Sequence, residues 1–306
     1  MEKQLNSNYN RRQFIGTVLA GTGALVAGSG LPTARAGRKS RRGRQVTDIV
    51  TLGKTGIKTN LLAQGTGWNG GARSSAHTRL GEKAFTKLVR HSLDQGIHLM
   101  DMADLYGSHP YMNKALQGVS RDDYAILTKI WPREAFWNMP SGGAKAEVDR
   151  FRKELRSDVL DVCLIHCMQN TEWPETFKRV RDELSEMKDK GAVKAVGVSC
   201  HDLGALKVAA THPWTDVVFA RINNVGDSMD GTPDEVAPVL KQARANGKLV
   251  IGMKIFGAGK LTSPDQKDAS LKFVFENELV DLITIGMMAP NEVNDAIRRA
   301  NKVLRA

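Results

Sequence analysis

The chain has 306 residues, 41% hydrophobic and 25% charged, which suits one large α/β domain or two small ones in an ordinary globular protein. Its net charge of +11 is unevenly placed: nine of the 44 Lys and Arg residues and one of the 33 Asp and Glu residues fall within residues 1–44, leaving 35 cations against 32 anions over residues 45–306. That balance excludes a basic nucleic-acid-binding body, and three cysteines (Cys163, Cys167, Cys200) without a CxxC pair argue against a disulfide framework.

Residues 1–36 are predicted to be a targeting segment. Asn10-Arg11-Arg12-Gln13-Phe14-Ile15 resembles the twin-arginine export signal, a Gly-interrupted apolar stretch covers residues 14–31, and Ala34-Arg35-Ala36 fits a small-x-small cleavage site. The alternative is an N-terminal membrane anchor. The stretch is about long enough to span, but its Gly, Thr and Ser residues make it weakly hydrophobic. A basic linker follows at residues 37–47, and positive charge just past the cut disfavours threading by the unfolded-chain export route. The resemblance implies that the twin-arginine machinery exports the folded protein to the periplasm or another extracytoplasmic space, with no stable membrane insertion after cleavage.

From residue 48 onward the pattern is regular. Residues 49–62 read as a β-hairpin around Lys54-Thr55-Gly56. Eight apolar strand-like runs follow, at 61–66, 98–101, 124–130, 159–166, 192–199, 217–222, 249–255 and 282–286. Amphipathic helical stretches lie among them at 81–95, 143–156, 174–190, 203–210, 233–246 and 264–278, and 292–304 closes the chain. Eight βα units in about 250 residues predict an α/β fold, a (β/α)8 TIM barrel over 48–306 with the hairpin closing its bottom. The competing architecture, a doubly wound open sheet, usually carries GxGxxG after its first strand, and none follows residues 61–66.

Catalytic groups of such a barrel sit at the C-terminal ends of its strands. There the chain places Asp101, with Tyr106 in the next loop, then Lys129, His166 and Ser199. A phenol with a pKa of about 10 donates a proton poorly at neutral pH, and a nearby ammonium is expected to lower it. Lys129 is the candidate ammonium, Asp101 its counter-ion, and His166 a donor that polarises a carbonyl oxygen. An acid beside such a site suits carbonyl reduction, which needs a nicotinamide as hydride source.

These residues carry a family resemblance. Thr51-Leu52-Gly53-Lys54-Thr55-Gly56, Gly65-Thr66-Gly67-Trp68, Asp101-x-Ala103-x-x-Tyr106-Gly107, Thr128-Lys129, Leu164-Ile165-His166 and Val196-Gly197-Val198-Ser199 resemble the aldo-keto reductases over nearly all of 48–306. The resemblance implies an NADP- or NAD-dependent oxidoreductase that interconverts a small carbonyl compound and an alcohol. Tyr106 would be the general acid, tuned by Lys129 and Asp101, and His166 would orient the carbonyl. The alternative is a non-catalytic nicotinamide-binding barrel, a sensor or an assembly subunit. The implied cofactor contacts are Gly65, Thr66, Gly67, Ser199, Cys200, Met253, Lys254, Gly257, Gly286, Met287 and Glu292. Three depart from the family pattern: Cys200 stands where Asn is usual, Met253 replaces a ring-stacking aromatic, and Glu292 falls where many members bind the 2′-phosphate through Arg. NADPH is the family default, and Glu292 leaves NAD open.

Trp131, Phe136 and Trp137 are candidate walls of a substrate pocket, and His109 either reaches the substrate or lies at the surface. Many aldo-keto reductases add a tail that folds over the pocket; this sequence ends with its last expected helix, at Ala306, and the expectation is an open site or one covered by a partner. Cys167 and Cys200, at the ends of adjacent strands, are a candidate disulfide in an oxidising compartment.

Overall fold

The computed structural model, which describes residues 43–132 and 142–305, closes eight parallel strands into a barrel: β3 (Leu62–Gly65), β4 (Leu99–Asp101), β5 (Ala125–Ile130), β6 (Leu160–Met168), β7 (Val193–Cys200), β8 (Val217–Arg221), β9 (Leu249–Met253) and β10 (Leu282–Ile285), which returns to β3. The antiparallel pair β1 (Val50–Leu52) and β2 (Ile57–Thr59) precedes it. The helices are α1 (Glu82–Asp94), α2 (His109–Ala115), α3 (Ala144–Leu155), α4 (Trp173–Thr176), α5 (Lys178–Asp189), α6 (Leu203–Thr211), α7 (Pro233–Ala245), α8 (Pro264–Glu276) and α9 (Pro290–Arg305). This is the expected (β/α)8 barrel. The expected signal and most of the basic linker, residues 1–42, lie outside the described residues, as do Phe136 and Trp137. Among the described residues no helix is long and apolar enough to cross a membrane.

Strand alternation sorts the core into two layers. Ala63, Leu99, Leu127, Val162, Leu164, Ala195, Val217, Phe219, Ile251 and Leu282 fill the barrel interior. Their neighbours Met100, Ile126, Cys163, Ile165, Val196, Val198, Val218, Val250 and Ile283 pack outward with the helices. A register slip of one residue would exchange the two sets. Leu52 and Ile57 join the interior layer, so the hairpin plugs the barrel from the N-terminal ends of its strands.

That same end is clasped by side chains that accept a backbone N–H from a neighbouring strand or its approach. Asn60 accepts from His98 N at 2.7 Å, Asp161 from Ile126 N at 2.8 Å, Asp216 from Val196 N at 3.0 Å and Asp281 from Val250 N at 2.8 Å. Each pairs a backbone donor that the closing sheet leaves without a partner.

Three local features differ from expectation. The helix expected over 174–190 breaks at Phe177 into α4 and α5. β6 runs two residues past His166. Helix α2 forms in a stretch for which no helix was predicted, and Pro110 sits in its first turn, where the missing N–H costs nothing.

Candidate active site

Continuing the inward alternation to the upper ends of the strands gives one ring of side chains. Asp101, Lys129, His166, Arg221, Met253 and Thr284 each lie two residues beyond an interior core position, and Ser199 lies four beyond Ala195. Lys129 is fully buried. Its ammonium donates to Asp101 Oδ1 and, at 2.8 Å, to the Met102 carbonyl, while Asp101 Oδ2 accepts from Thr284 Oγ1 at 2.9 Å. A buried ion pair is tolerated when its remaining hydrogen-bonding capacity is also used, and Thr284 supplies that bond. The ammonium lies 4.7 Å from the Phe219 ring centroid and 5.1 Å from that of Tyr106.

Tyr106 ends a single 3-10 turn, Asp104–Tyr106, closed by Gly107 at φ 64°. Its ring lies on Gly67 and Gly70: a Cβ on Gly67 would stand 2.3 Å from Tyr106 Cζ, and one on Gly70 2.6 Å from Cδ1. The phenol oxygen is 3.4 Å from His166 Nε2, the two rings edge to face with centroids 5.5 Å apart. Trp131 meets the same imidazole edge to face at 5.6 Å, so it walls the mouth.

The phenol pKa is raised, not lowered as expected. Burial pushes it well above 10, and the negative charges of Asp101 and then Cys167 add to the rise. Lys129 is already neutralised by Asp101, so the pair presents no net positive charge to the phenol. Tyr106 is thereby held in its protonated, donor form.

His109 is neither at the surface nor at the mouth. It is buried, with Nε2 2.7 Å from Thr128 Oγ1 and Nδ1 2.9 Å from Glu154. Arg150 bonds Asp104 and Glu154 at 2.8 and 2.9 Å, and Arg73 bonds Glu154 at 2.8 Å, so a charged network ties the Tyr106 turn to α3. These partners hold the Glu154 carboxyl down to about 2, against the opposing effect of burial, the largest single influence on it.

The expected cofactor residues divide. Ser199 is at the inner rim, its Oγ accepting from Cys167 N at 2.8 Å, which leaves its own O–H to donate. Met253 forms an apolar wall of the interior layer. Lys254, at φ 59°, is half-buried, its pKa lowered by burial and then by Arg221. The amides of Gly257 and Gly259 are spent on turn bonds to Lys254 O and Phe256 O, so what this loop offers an anion is the Lys254 ammonium. Gly65 lets β3 approach Thr284 and Gly286, and an added Cβ on Gly286 would stand 3.2 Å from His77 Cε1. Gly67 serves as the platform of Tyr106. The Thr66 hydroxyl is committed to Asp101 O and Ser108 Oγ.

Two side chains expected at the cofactor face elsewhere. Cys200 and Met287 are fully buried in the outer layer, because Cys200 follows the inward Ser199 and takes the opposite face, and Met287 presents only its carbonyl, to Gln64 and His77. Cys167 and Cys200 form no disulfide. Glu292 is exposed in the first turn of α9 and accepts from Met288 N at 2.8 Å, capping its own helix. Sequence reasoning missed Arg221, Thr284, Gly70 and His201. The inward alternation of β8 and β10 points to the first two.

A groove of about 810 Å³ lined by Gly56, Lys58, Arg121, Asp161 and Lys194 opens at the opposite end of the barrel, away from these groups.

Residues 64–305 match the pattern described as Aldo/keto reductase family. The aldo-keto reductase YhdN of Bacillus subtilis (strain 168) is 29% identical over 163 residues, 50% of this chain and 46% of that protein. The NADH-specific methylglyoxal reductase of Escherichia coli (strain K12) is 21% identical over 239 residues, 72% and 69% of the two chains. The match thus spans under half of the Bacillus relative and about two thirds of the Escherichia one. Among solved structures, a putative aldo-keto reductase from Pseudomonas aeruginosa superposes with a TM-score of 0.69 at 21% identity, covering 85% of this chain and 97% of that one. An aldo/keto reductase from Klebsiella pneumoniae, solved with NADP and acetate, gives 0.60 at 17%, covering 83% and 89%. Both share the fold.

Proposed function

This chain belongs to the aldo/keto reductase family, and from that premise we propose that it transfers hydride reversibly between a nicotinamide dinucleotide and the carbonyl carbon of a small aldehyde or ketone. The observation that carries the reading is the meeting of Tyr106 Oη and His166 Nε2, 3.4 Å apart, beside the buried Lys129–Asp101 pair. The residues fit the cofactor. The mouth offers a hydroxyl at Ser199, an apolar wall at Met253 and an ammonium at Lys254 that burial and Arg221 destabilise until an anion joins it.

When bound, the dinucleotide supplies the hydride. The protein's own groups do the rest. His166 Nε2 and Tyr106 Oη converge on one carbonyl oxygen and orient it, and Tyr106 donates the proton as negative charge develops there. The high phenol pKa keeps that proton in place until an oxyanion forms to take it. Asp101 holds the Lys129 ammonium beside the ring, 5.1 Å from its centroid, and the pair positions the acid. The dinucleotide is NADP or NAD. A Klebsiella neighbour was solved with NADP and a curated relative is named as NADH-specific, and the Glu292 carboxylate disfavours a 2′-phosphate.

Tyr106→Phe tests the reading. Methylglyoxal reduction, followed by nicotinamide absorbance, is expected to fall about 10²–10⁴-fold in kcat, with dinucleotide affinity unchanged by fluorescence titration. An unchanged kcat overturns Tyr106 as the acid. The N-terminal Arg11-Arg12 pair, the apolar stretch and Ala34-Arg35-Ala36 support export through the twin-arginine machinery. Outside the cytoplasm no nicotinamide pool recharges the enzyme, so we propose tight retention, one substrate reducing the bound cofactor and another oxidising it. Replacing Arg11 and Arg12 with Lys is expected to leave the protein in the cytoplasmic fraction, and mature protein purified without a co-purifying nicotinamide would refute retention.

A further inference from the structure

The proposed mechanism leaves one nucleophile at the mouth unused. Alternation along β6 would send Cys167 into the outer layer with Cys163 and Ile165. Instead the pairing with β7 shifts between Ile165–Val198 and Met168–Cys200, so His166 and Cys167 together stand opposite Ser199. Cys167, at φ 64°, is the extra residue of this bulge, and Met168 takes the outward place. Bulges at barrel rims re-aim side chains in this way, and holding a non-glycine residue in the left-handed region costs about 1–3 kcal/mol.

The thiol that results is not isolated. Its Sγ lies 3.5 Å from His201 Nε2, and the His201 ring stands edge to face with His166 at 6.5 Å. Arg221 and Lys254 are both electrostatically coupled to Cys167, whose negative charge favours their charged forms. Two cationic side chains thus lie close enough to act on the sulfur. Tyr106 and Cys200 are also electrostatically coupled to it. Cys163 and Cys200 lie deeper: both are fully buried among apolar side chains, where Cys167 is 7% exposed, and burial pushes the Cys163 and Cys200 thiols upward.

We propose that Cys167 and His201 form a nucleophilic site that captures aldehydes at the barrel mouth as thiohemiacetals. The thiol gives its proton to His201 Nε2. The sulfur bonds to the aldehyde carbon, the C=O π pair moves to oxygen, and the proton passes from His201 to that oxygen. No oxidant or reductant is consumed, and reversal restores the thiol. The site takes aldehydes and rejects alcohols. It rests on the proposed function only for the carbonyl substrate class, since capture requires no nicotinamide.

The test is alkylation of the full, folded chain with limiting iodoacetamide and no added cofactor, with modified peptides quantified by mass spectrometry. Cys167 is expected to react at least about tenfold faster than Cys163 or Cys200. His201→Ala is expected to slow it several-fold, and acetaldehyde to slow it saturably while ethanol does not. Uniform labelling of the three cysteines, or alkylation of Cys167 at the same rate with and without acetaldehyde, overturns the proposal. Protection by acetaldehyde in a protein that reduces no carbonyl would support the thiol site while refuting the function proposed above.

Discussion

Replacing Lys129 with Met isolates the buried ion pair beneath the acid. Met preserves most of the stem and volume, so the change removes the ammonium without opening a cavity among Phe219, Tyr106 and the strands. Asp101, 5% exposed, is left with the Thr284 hydroxyl as its remaining partner among the bonds described above, and the Met102 carbonyl loses its Lys129 donor. Removing one member of a buried pair costs about 3–5 kcal/mol, a large part of a net stability of about 5–15 kcal/mol. Asp101→Asn added to Lys129→Met eliminates the stranded charge and keeps an acceptor for Thr284. The double variant is therefore expected to be more stable than Lys129→Met alone, regaining at least about 2 kcal/mol. Equilibrium urea unfolding followed by tryptophan fluorescence, with m values checked for constancy, measures both. A Lys129→Met variant within about 1 kcal/mol of the parent, or single-variant losses that simply add in the double, would refute this account of the pair.

Gly67 and His77 carry two further predictions. Gly67→Ala would place a Cβ 2.3 Å from the Tyr106 ring, so the ring must move by about 1 Å; displacements of this size cost about 100-fold in rate, expected in kcat and not in dinucleotide affinity, and an unchanged kcat would show that the glycine platform does not set the acid's position. His77 is buried, and desolvation lowers its pKa to about 4, against the opposing effect of its contact with the Met287 carbonyl. Between pH 6.5 and 4 the unfolded chain binds a proton that the folded chain refuses, so stability falls as pH falls through that window, by at most about 3 kcal/mol. His77→Gln should remove that part of the slope in urea midpoints taken from pH 4 to 7.5, and a slope identical to the parent's assigns it to another group.

The barrel was legible because eight apolar runs with period-two alternation each end in a distinct residue. The same alternation finds Asp101, Lys129, His166 and Ser199 as inward rim positions. Applied strictly, it also separates Ser199 from Cys200, since consecutive strand residues face opposite ways. What a one-dimensional pattern does not carry is a break in the alternation. The bulge at Cys167 depends on how β6 pairs with β7, and no local residue choice announces it. Arg221 reads as a cation leaving a strand, because its partner Asp230 arrives only after the following loop has folded back. The direction of the Tyr106 pKa likewise needs the structure: proximity to Lys129 is readable, but its neutralisation by Asp101 and the depth of burial are three-dimensional facts.

The clasps at Asn60, Asp161, Asp216 and Asp281 have a consequence for engineering. They lie at the foot of the barrel, and none of them belongs to the rim that bears Tyr106, Lys129 and His166. Rim positions outside the Tyr106 platform and the Lys254 turn can therefore be varied with the foot left untouched as a chassis. A selection for new substrates can draw on the remaining upper edge, while the parts that keep the cylinder shut stay out of reach of the randomisation.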